Sequence, residues 1–396
     1  MAFSAPAAGT APSTWHRGLT KVLVTAAFGR PRILGEIRPA RALRRGRRTR
    51  ATAGERPRLY IASHRNGAID GCALASAAPG AQFLVSAQLL RHPLLRLLFT
   101  GIPVVRPKDV ERYGMDPSEI ADPVTAGVRH LAAGGDLVVL PEGTSEWSHA
   151  PQPYRKGAAR IVAACRAQGV DVEVVPVGLF YSAPDRYRSR VEVLLGDPVP
   201  LPDDDPSPGT VASPGPSHAA GAPAVPPVPS PHPSPVDAAT PDPAEVDRIH
   251  EIFSAALDAV SVDCPDEQSF QAVLSAAGAD ARAGEGFTES FLHHQRQACL
   301  GRPPLPGPPA PRWPRVLGLA LQAPIAPVLL TAWAVGKKAD AVNTVSFFRV
   351  LGGTGAALLW APVLAGLTVA KPAAGAAALA STAAGWTLLG VNRWRL

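Results

Sequence analysis

The chain has 396 residues, of which 46% are hydrophobic and 18% charged, and it carries a formal net charge of +7. This length is enough for two ordinary domains with a buried core, and the basic balance suits an anionic partner such as a membrane surface, a nucleotide or a phosphate ester. Nucleic acid is not an expected partner, because no helix-turn-helix, zinc-ligand spacing or aromatic RNA-binding signature accompanies the charge.

The N-terminal part, residues 1–57, is predicted to form a tail, one helix and an Arg-rich loop. Its first dozen residues are small and polar and do not resemble a secretory signal. A helix is predicted over residues 15–28, where apolar side chains recur on one face. That pattern fits a helix at a membrane interface and an ordinary docking helix equally well. Residues 41–50 contain six arginines, which suits either a solvated loop or a patch that binds lipid headgroups.

From residue 58 to residue 197, strand and helix patterns alternate, which predicts an α/β domain. Strands are predicted at residues 58–62, 82–86, 102–106, 136–140, 172–177 and 190–195. Helices are predicted at residues 71–77, 89–98, 122–133 and 155–168.

The first of these strands runs into a turn that carries His64 and, six positions later, Asp70. Asn66 and Gly67 favour a tight turn, so the two side chains are expected to meet across it. A carboxylate that accepts a hydrogen bond from one ring nitrogen leaves the other nitrogen free to take a proton from a hydroxyl. The alternative is an ordinary turn histidine followed by an aspartate that caps a helix.

Residues 198–244 differ in composition from the rest of the chain. They are rich in Pro, Ala, Ser and Asp and nearly lack bulky apolar residues, which predicts a disordered insert because too little apolar surface is present to bury. Residues 245–300 regain helical periodicity, and we expect them to form a small helical unit that packs on the α/β domain.

The remaining residues, 301–396, are predicted to form a membrane-embedded region. The segment 316–336 is uncharged and about long enough to span a bilayer, but two prolines interrupt its centre. Residues 351–391 read as a hairpin of two apolar helices joined at Lys371. If the first segment is re-entrant, the cations that flank these segments, apart from Lys371, all lie on the same side of the membrane. We therefore expect a cell-membrane protein whose α/β domain lies in the cytoplasm.

Two further patterns are assigned structural rather than chemical roles. The segment 352–355, Gly-Gly-Thr-Gly, has no strand before it, so close helix packing explains it better than a nucleotide-binding loop. The four cysteines lack the spacing of a metal site or a redox pair, so we expect no metal and a reducing compartment. They are Cys72, Cys165, Cys264 and Cys299.

Four sequence blocks of the α/β domain share one order: SHRNGAID at 63–70, GIPVVR at 101–106, LPEGTS at 140–145 and VPVGL at 175–179. Together they resemble the glycerolipid acyltransferase family, which includes lysophosphatidic acid and glycerol-phosphate acyltransferases. The five residues between His64 and Asp70 match the subgroup with His-Pro-Asn-x-x-Ile-Asp rather than the usual four-residue spacing. Arg65 stands where that subgroup has Pro, and Ser145 stands where many members have Arg.

The resemblance implies a fold and an activity. The fold is an acyltransferase-type mixed sheet flanked by helices, and the activity is that of an O-acyltransferase in phospholipid synthesis. A fatty acyl group would move from a thioester of coenzyme A or acyl carrier protein to the hydroxyl of glycerol phosphate or lysophosphatidate. The expected partners are the bilayer, this donor and this acceptor, without a cofactor.

The resemblance also implies roles for individual residues. His64 is the general base and Asp70 orients it. Arg106 holds the acceptor phosphate, for which a guanidinium offers a bidentate fit, and Gly101 allows a close backbone approach. Lys156 is a candidate for contact with acceptor or coenzyme A phosphates, the alternative being a basic residue on a helix face. The residues expected to shape the acceptor pocket are Glu142, Gly143 and Thr144.

Two other functions stay open on the sequence alone. The first is a thioester or phospholipid hydrolase in which His64 activates water. The absence of a Gly-x-Ser-x-Gly elbow does not exclude a hydrolase. A hydrolase would, however, leave Arg106 and Glu142 without a function. The second is a non-catalytic membrane scaffold that keeps the fold, against which the intact pair of His64 and Asp70 argues.

Overall fold

A computed structural model describes residues 11–37, 56–87, 100–104, 122–202 and 241–391. Its central feature is a sheet of seven strands: β1 (Arg32–Leu34), β2 (Arg58–Ala62), β3 (Gln82–Ser86), β4 (Ile102–Val104), β5 (Leu137–Val139), β6 (Glu173–Tyr181) and β7 (Val191–Leu195). Their spatial order is β1-β7-β6-β2-β5-β3-β4. Neighbouring strands are parallel apart from the antiparallel pair β6 and β7. The predicted mixed α/β fold is confirmed.

Helices cover both faces of the sheet, and the central strand β2 is buried throughout. Tyr60 points to the face covered by α1 (Thr14–Phe28) and α2 (Ala68–Ala77). Leu59 and Ile61 point to the opposite face, as the two-residue period of a strand requires. On that face lie α3 (Pro123–Ala132), α4 (Gly157–Ala167) and α5 (Pro243–Val260).

Local sequence signals explain where several of these helices begin. Asp122 caps α3 by accepting hydrogen bonds from the backbone N–H groups of Val124 and Thr125, and Pro123 occupies the first helical position. Asp242 caps α5 in the same way, again with a proline in the first turn. The caps therefore set the starts of α3 and α5 within a residue or two of the predicted positions.

The predicted helical unit consists of α5, α6 (Glu267–Ala283) and α7 (Phe287–Cys299). Its first helix shares the apolar core beneath the sheet through Ile249 and Phe253. The other two build a second cluster in which Phe291 lies 5.5 Å, between ring centroids, from Phe180 of β6. These helices therefore pack on the sheet, while the division of the chain into domains stays a prediction.

The apolar C-terminal part begins with α8 (Trp313–Leu321) and α9 (Ala326–Gly336), which a short 3-10 turn (Ala323–Ile325) joins. The bend between them is 62°, which fits a broken span or a re-entrant loop. Two further helices, α10 (Val342–Ala370) and α11 (Pro372–Val391), are long and apolar enough to cross a membrane. A Cβ on Gly352 would lie 2.7 Å from Val335 of α9, so the predicted close helix packing is confirmed there.

Two differences from the sequence predictions concern the sheet. The strand β1 has only three residues and gives no periodic signal, yet it forms an edge of the sheet beside β7. The strand β6 continues to Tyr181 rather than ending at residue 177, because its second half pairs with β7. The Arg-rich segment 41–50, the helix 89–98, the position Arg106 and most of the insert 198–244 lie outside the described residues.

Candidate active site

The predicted pair of His64 and Asp70 comes together across the turn that follows β2. The Nδ1 atom of His64 lies 2.9 Å from an Oδ atom of Asp70. Asp70 is fully buried, whereas 16% of the His64 side chain is exposed. The carboxylate thereby favours a proton on Nδ1 and leaves the other ring nitrogen, Nε2, able to accept one.

Asp70 lies in the first turn of α2, whose N-cap is Gly67 rather than Asp70, and its carboxylate has partners besides His64. The oxygen that faces His64 also accepts hydrogen bonds from the backbone N–H groups of Arg65 and Asn66, both at 2.7 Å. Its other oxygen accepts the hydroxyl of Tyr181 at 2.6 Å. Burial and the charge of Asp70 raise the pKa of Tyr181 well above its usual value, so this hydroxyl keeps its proton and donates. Four donors therefore fix the carboxylate in one orientation.

Glu142 supports the turn from the other side. One of its carboxylate oxygens accepts the backbone N–H of His64 at 2.6 Å, and the other accepts that of Gln152 at 2.9 Å. Burial raises the pKa of Glu142, while these two hydrogen bonds oppose the rise. Both carboxylate oxygens of Glu142 accept hydrogen bonds, and only 3% of the residue is exposed. Glu142 therefore stabilises the turn that carries His64. Glu142 lines neither of the two cavities described below, so any influence on the predicted acceptor pocket passes through the turn that it holds.

Two cavities meet at His64. The first, of about 570 Å³, lies between the loop after β5 and the segment that leads into α10. Besides His64, its lining residues are Gly143, Thr144, Ser145, Glu146, Ala341, Asn343 and Thr344. Five of these eight residues carry a hydroxyl, amide or carboxylate group, a larger share than in the second cavity described below, so we name this space the polar cavity. The predicted pocket residues Gly143 and Thr144 do line it.

The second cavity, of about 400 Å³, runs from His64 and Gly143 between α1, α2 and β3. Small residues of α2, namely Gly71, Cys72 and Ala75, leave the space open. Most other lining groups are apolar, including Phe83 and Val85 of β3, so we name it the apolar cavity. Its volume falls within the range of small-molecule sites. A hydrophobic chain in the apolar cavity and a polar molecule in the polar cavity would therefore both reach the imidazole.

Comparisons with known proteins relate this chain to acyltransferases. A family model described as Acyltransferase matches residues 41–179. Glycerol-3-phosphate O-acyltransferase 1 of Saccharomyces cerevisiae is 34% identical over 77 residues, which are 19% of this chain. The α/β domain is therefore similar to acyltransferases of the glycerolipid type. The chain spans 10% of the length of that yeast relative. The crystal structure of the 1-acyl-sn-glycerophosphate acyltransferase PlsC from Thermotoga maritima matches at 14% identity with a TM-score of 0.32, over 46% of this chain and 67% of that one.

Gly101 packs closely against the neighbouring strand β3. A Cβ there would lie 2.4 Å from Val85 and 2.5 Å from the carbonyl oxygen of Phe83. The absence of a side chain therefore allows β4 to pair closely with β3. The close approach seen here is to the sheet, and a close approach to a substrate phosphate stays a prediction.

Arg65 is a site residue of the acyltransferase domain for which the sequence analysis predicted no role. It is 3% exposed, its guanidinium donates to the carbonyl oxygen of Ser148 at 2.6 Å, and its Cζ lies 4.7 Å from the ring centroid of Trp147. Burial lowers its pKa to about 10 despite the nearby charges of Glu142 and Asp70, so it is a cation at neutral pH. The sequence signal for a role of Arg65 was that it stands where the subgroup has proline. In the structure, the positive charge of Arg65 balances the two buried carboxylates.

Lys156 lies in an ion pair at the protein surface. Its Nζ lies 2.6 Å from an Oδ atom of Asp247 on α5, and about half of each side chain is exposed. Lys156 lines neither the polar nor the apolar cavity. This arrangement fits the alternative, a basic residue beside a helix, and the substrate contact stays a prediction. Among the residues that the structure describes, no cluster of three His, Cys, Asp or Glu side chains could hold a metal ion.

We expect Lys156→Ala to change kcat and both Michaelis constants by less than twofold. Exposed ion pairs contribute about 1 kcal/mol or less to the free energy of unfolding, so stability should change little as well. Steady-state kinetics and urea unfolding of Lys156→Ala, with Asp247→Ala as the matched variant of the partner, measure both effects. A fivefold rise in either Michaelis constant would restore Lys156 as a substrate contact.

Proposed function

We propose that this protein transfers a fatty acyl group from an acyl thioester to the hydroxyl of glycerol phosphate or lysophosphatidate at a membrane. The observation that carries the proposal is the meeting of the polar and apolar cavities at His64. An acyl transferase must bring a hydrophobic chain and a hydrated, phosphorylated alcohol to one base. Two cavities that share His64 and Gly143, one of them lined by a larger share of polar residues, fit that requirement.

The proposed reaction needs no acyl-enzyme. The Nε2 atom of His64 accepts the proton of the acceptor hydroxyl as the alcohol oxygen attacks the thioester carbonyl carbon. Asp70 stabilises the imidazolium that forms. The tetrahedral intermediate then expels the thiolate, which takes the proton from His64 and leaves as the free thiol. One C–S bond breaks, one C–O bond forms and His64 returns to its starting state.

The acceptor phosphate and the membrane complete the proposal. Arg106 stays the proposed phosphate ligand because a guanidinium matches two phosphate oxygens. A membrane location is supported by α10 and α11, each long and apolar enough to span a bilayer. The flanking cations favour a cytoplasmic α/β domain at the cell membrane, where a lipid-soluble product could enter the bilayer directly.

The test is an assay of the purified full-length protein in phospholipid nanodiscs with a radiolabelled acyl-coenzyme A or acyl-carrier-protein thioester. Parallel reactions contain glycerol 3-phosphate, lysophosphatidate, the matching alcohols without phosphate, or no acceptor. We expect an acylated product with a phosphorylated acceptor at a rate at least tenfold above that with its unphosphorylated counterpart. Release of free fatty acid at the same rate in every reaction would instead identify a hydrolase, and the absence of turnover would favour a scaffold.

A further inference from the structure

The polar cavity has walls from two distant parts of the chain. One wall is the loop after β5, which carries Gly143 to Glu146. The facing wall is formed by Ala341, Asn343 and Thr344 at the start of α10. The match to the family model ends at residue 179, so the second wall comes from a part of the chain that the family model does not cover.

The second wall is bonded to the first rather than merely close to it. The side-chain amide of Asn343 donates to the carbonyl oxygen of Ser145 at 2.6 Å and lies 2.9 Å from its hydroxyl. Asn343 is only 6% exposed, so these bonds are shielded from water and hold the loop firmly. The next residue of that loop, Glu146, donates its backbone N–H to the carbonyl oxygen of His64 at 3.2 Å. A short chain of hydrogen bonds therefore links Asn343 to the backbone of the catalytic turn.

The turn itself also contacts this wall. Gly67 has a φ of +53°, and a Cβ there would lie 3.1 Å from the carbonyl oxygen of Asn343. Thr344 donates its hydroxyl to the carbonyl oxygen of Ala341 at 2.9 Å, which fixes the first turn of α10. The small side chain of Ala341 leaves the mouth of the cavity open. A rearrangement of residues 341–344 would therefore alter the space that faces His64.

We propose that Ala341, Asn343 and Thr344 form the wall that selects the acceptor, so that the first long apolar helix supplies part of the active site. Asn343 is a positioning residue for the loop at Ser145, and Ala341 limits the size of the acceptor. This inference rests on the proposed acyl transfer. It implies that the α/β domain alone has an incomplete acceptor site. It also implies that the position of α10 in the membrane controls acceptor binding.

The first test is Ala341→Trp, compared with Val342→Trp. Val342 is the next residue, is 48% exposed and does not line the polar cavity, so it controls for a large aromatic side chain at this point of the helix. We expect Ala341→Trp to raise the Michaelis constant for the acceptor at least tenfold and to change that for the acyl donor less than twofold. Val342→Trp should leave both within twofold of the wild type.

The second test is Asn343→Asp, which keeps the size of the side chain but removes the amide N–H that bonds to Ser145. We expect kcat/KM for the acceptor to fall at least tenfold with an unchanged Michaelis constant for the donor, and Asn343→Gln to recover part of the loss. Equal effects on donor and acceptor, or identical behaviour of Ala341→Trp and Val342→Trp in an active enzyme, would overturn this inference alone. A wild type that transfers no acyl group to a phosphorylated glycerol acceptor would overturn the proposed function and this inference together.

Discussion

The variant His64→Ala is expected to lose acyl transfer by roughly 10²–10⁴-fold in kcat, the usual contribution of a general base. The imidazole lines both cavities, and removing it leaves water as the acceptor of the hydroxyl proton. The fold should survive, because the ring of His64 is hydrogen-bonded to Asp70 and the backbone bond of His64 to Glu142 does not depend on the ring. Initial rates at saturating concentrations of both substrates, together with thermal unfolding, measure the two effects.

The matched control for this loss is His149→Ala. The ring of His149 lies 3.8 Å from Glu267 and is partly exposed, and it lines neither cavity. We expect its variant to keep the wild-type rate within twofold. If His64→Ala retained more than about a tenth of the wild-type kcat while remaining folded, His64 would not be the base and another group would have to be sought in the polar cavity.

The features that the sequence predicted well are local in the chain. The strand β2, the turn with Asn66 and Gly67, and the contact between His64 and Asp70 all lie within about a dozen residues. The strong turn signal and the six-residue spacing leave little freedom in how these side chains meet. The apolar pattern of residues 351–391 likewise predicts two long helices, because length and composition alone decide that assignment.

The features that the sequence could not predict depend on distant pairings. Tyr181 reaches Asp70 because β6 lies beside β2 in a specific register and continues past it. Asn343 reaches Ser145 only because α10 begins at the mouth of the polar cavity. The ion pair of Lys156 with Asp247 joins residues that are 91 positions apart, so the sequence gives no sign of it. Sheet register and helix docking, rather than local propensity, determine these contacts.

Asp70→Asn is expected to reduce kcat by about two to three orders of magnitude while the protein stays folded. Two backbone N–H groups and the ring of His64 all point at one oxygen of Asp70, so the amide of an asparagine must place its carbonyl oxygen there. Its NH₂ group then faces the hydroxyl of Tyr181, which can accept. The tautomer of His64 is thereby kept, and what is lost is the negative charge that stabilises the imidazolium. A unit charge about 4 Å away contributes about 4 kcal/mol at an effective dielectric constant of about 20.

Two companion variants separate the loss of charge from the loss of structure. Tyr181→Phe removes one of the four donors to Asp70 but keeps the carboxylate charged, so we expect less than a tenfold loss of kcat and about 1 kcal/mol of stability. Asp70→Ala leaves the buried N–H groups of Arg65 and Asn66 unpaired, at about 1–3 kcal/mol each, and should lower the unfolding midpoint markedly. Equal rates for Asp70→Asn and the wild type would mean that the carboxylate charge does not support the base. A loss in Asp70→Asn that is matched by unfolding would assign Asp70 to the structure of the turn instead.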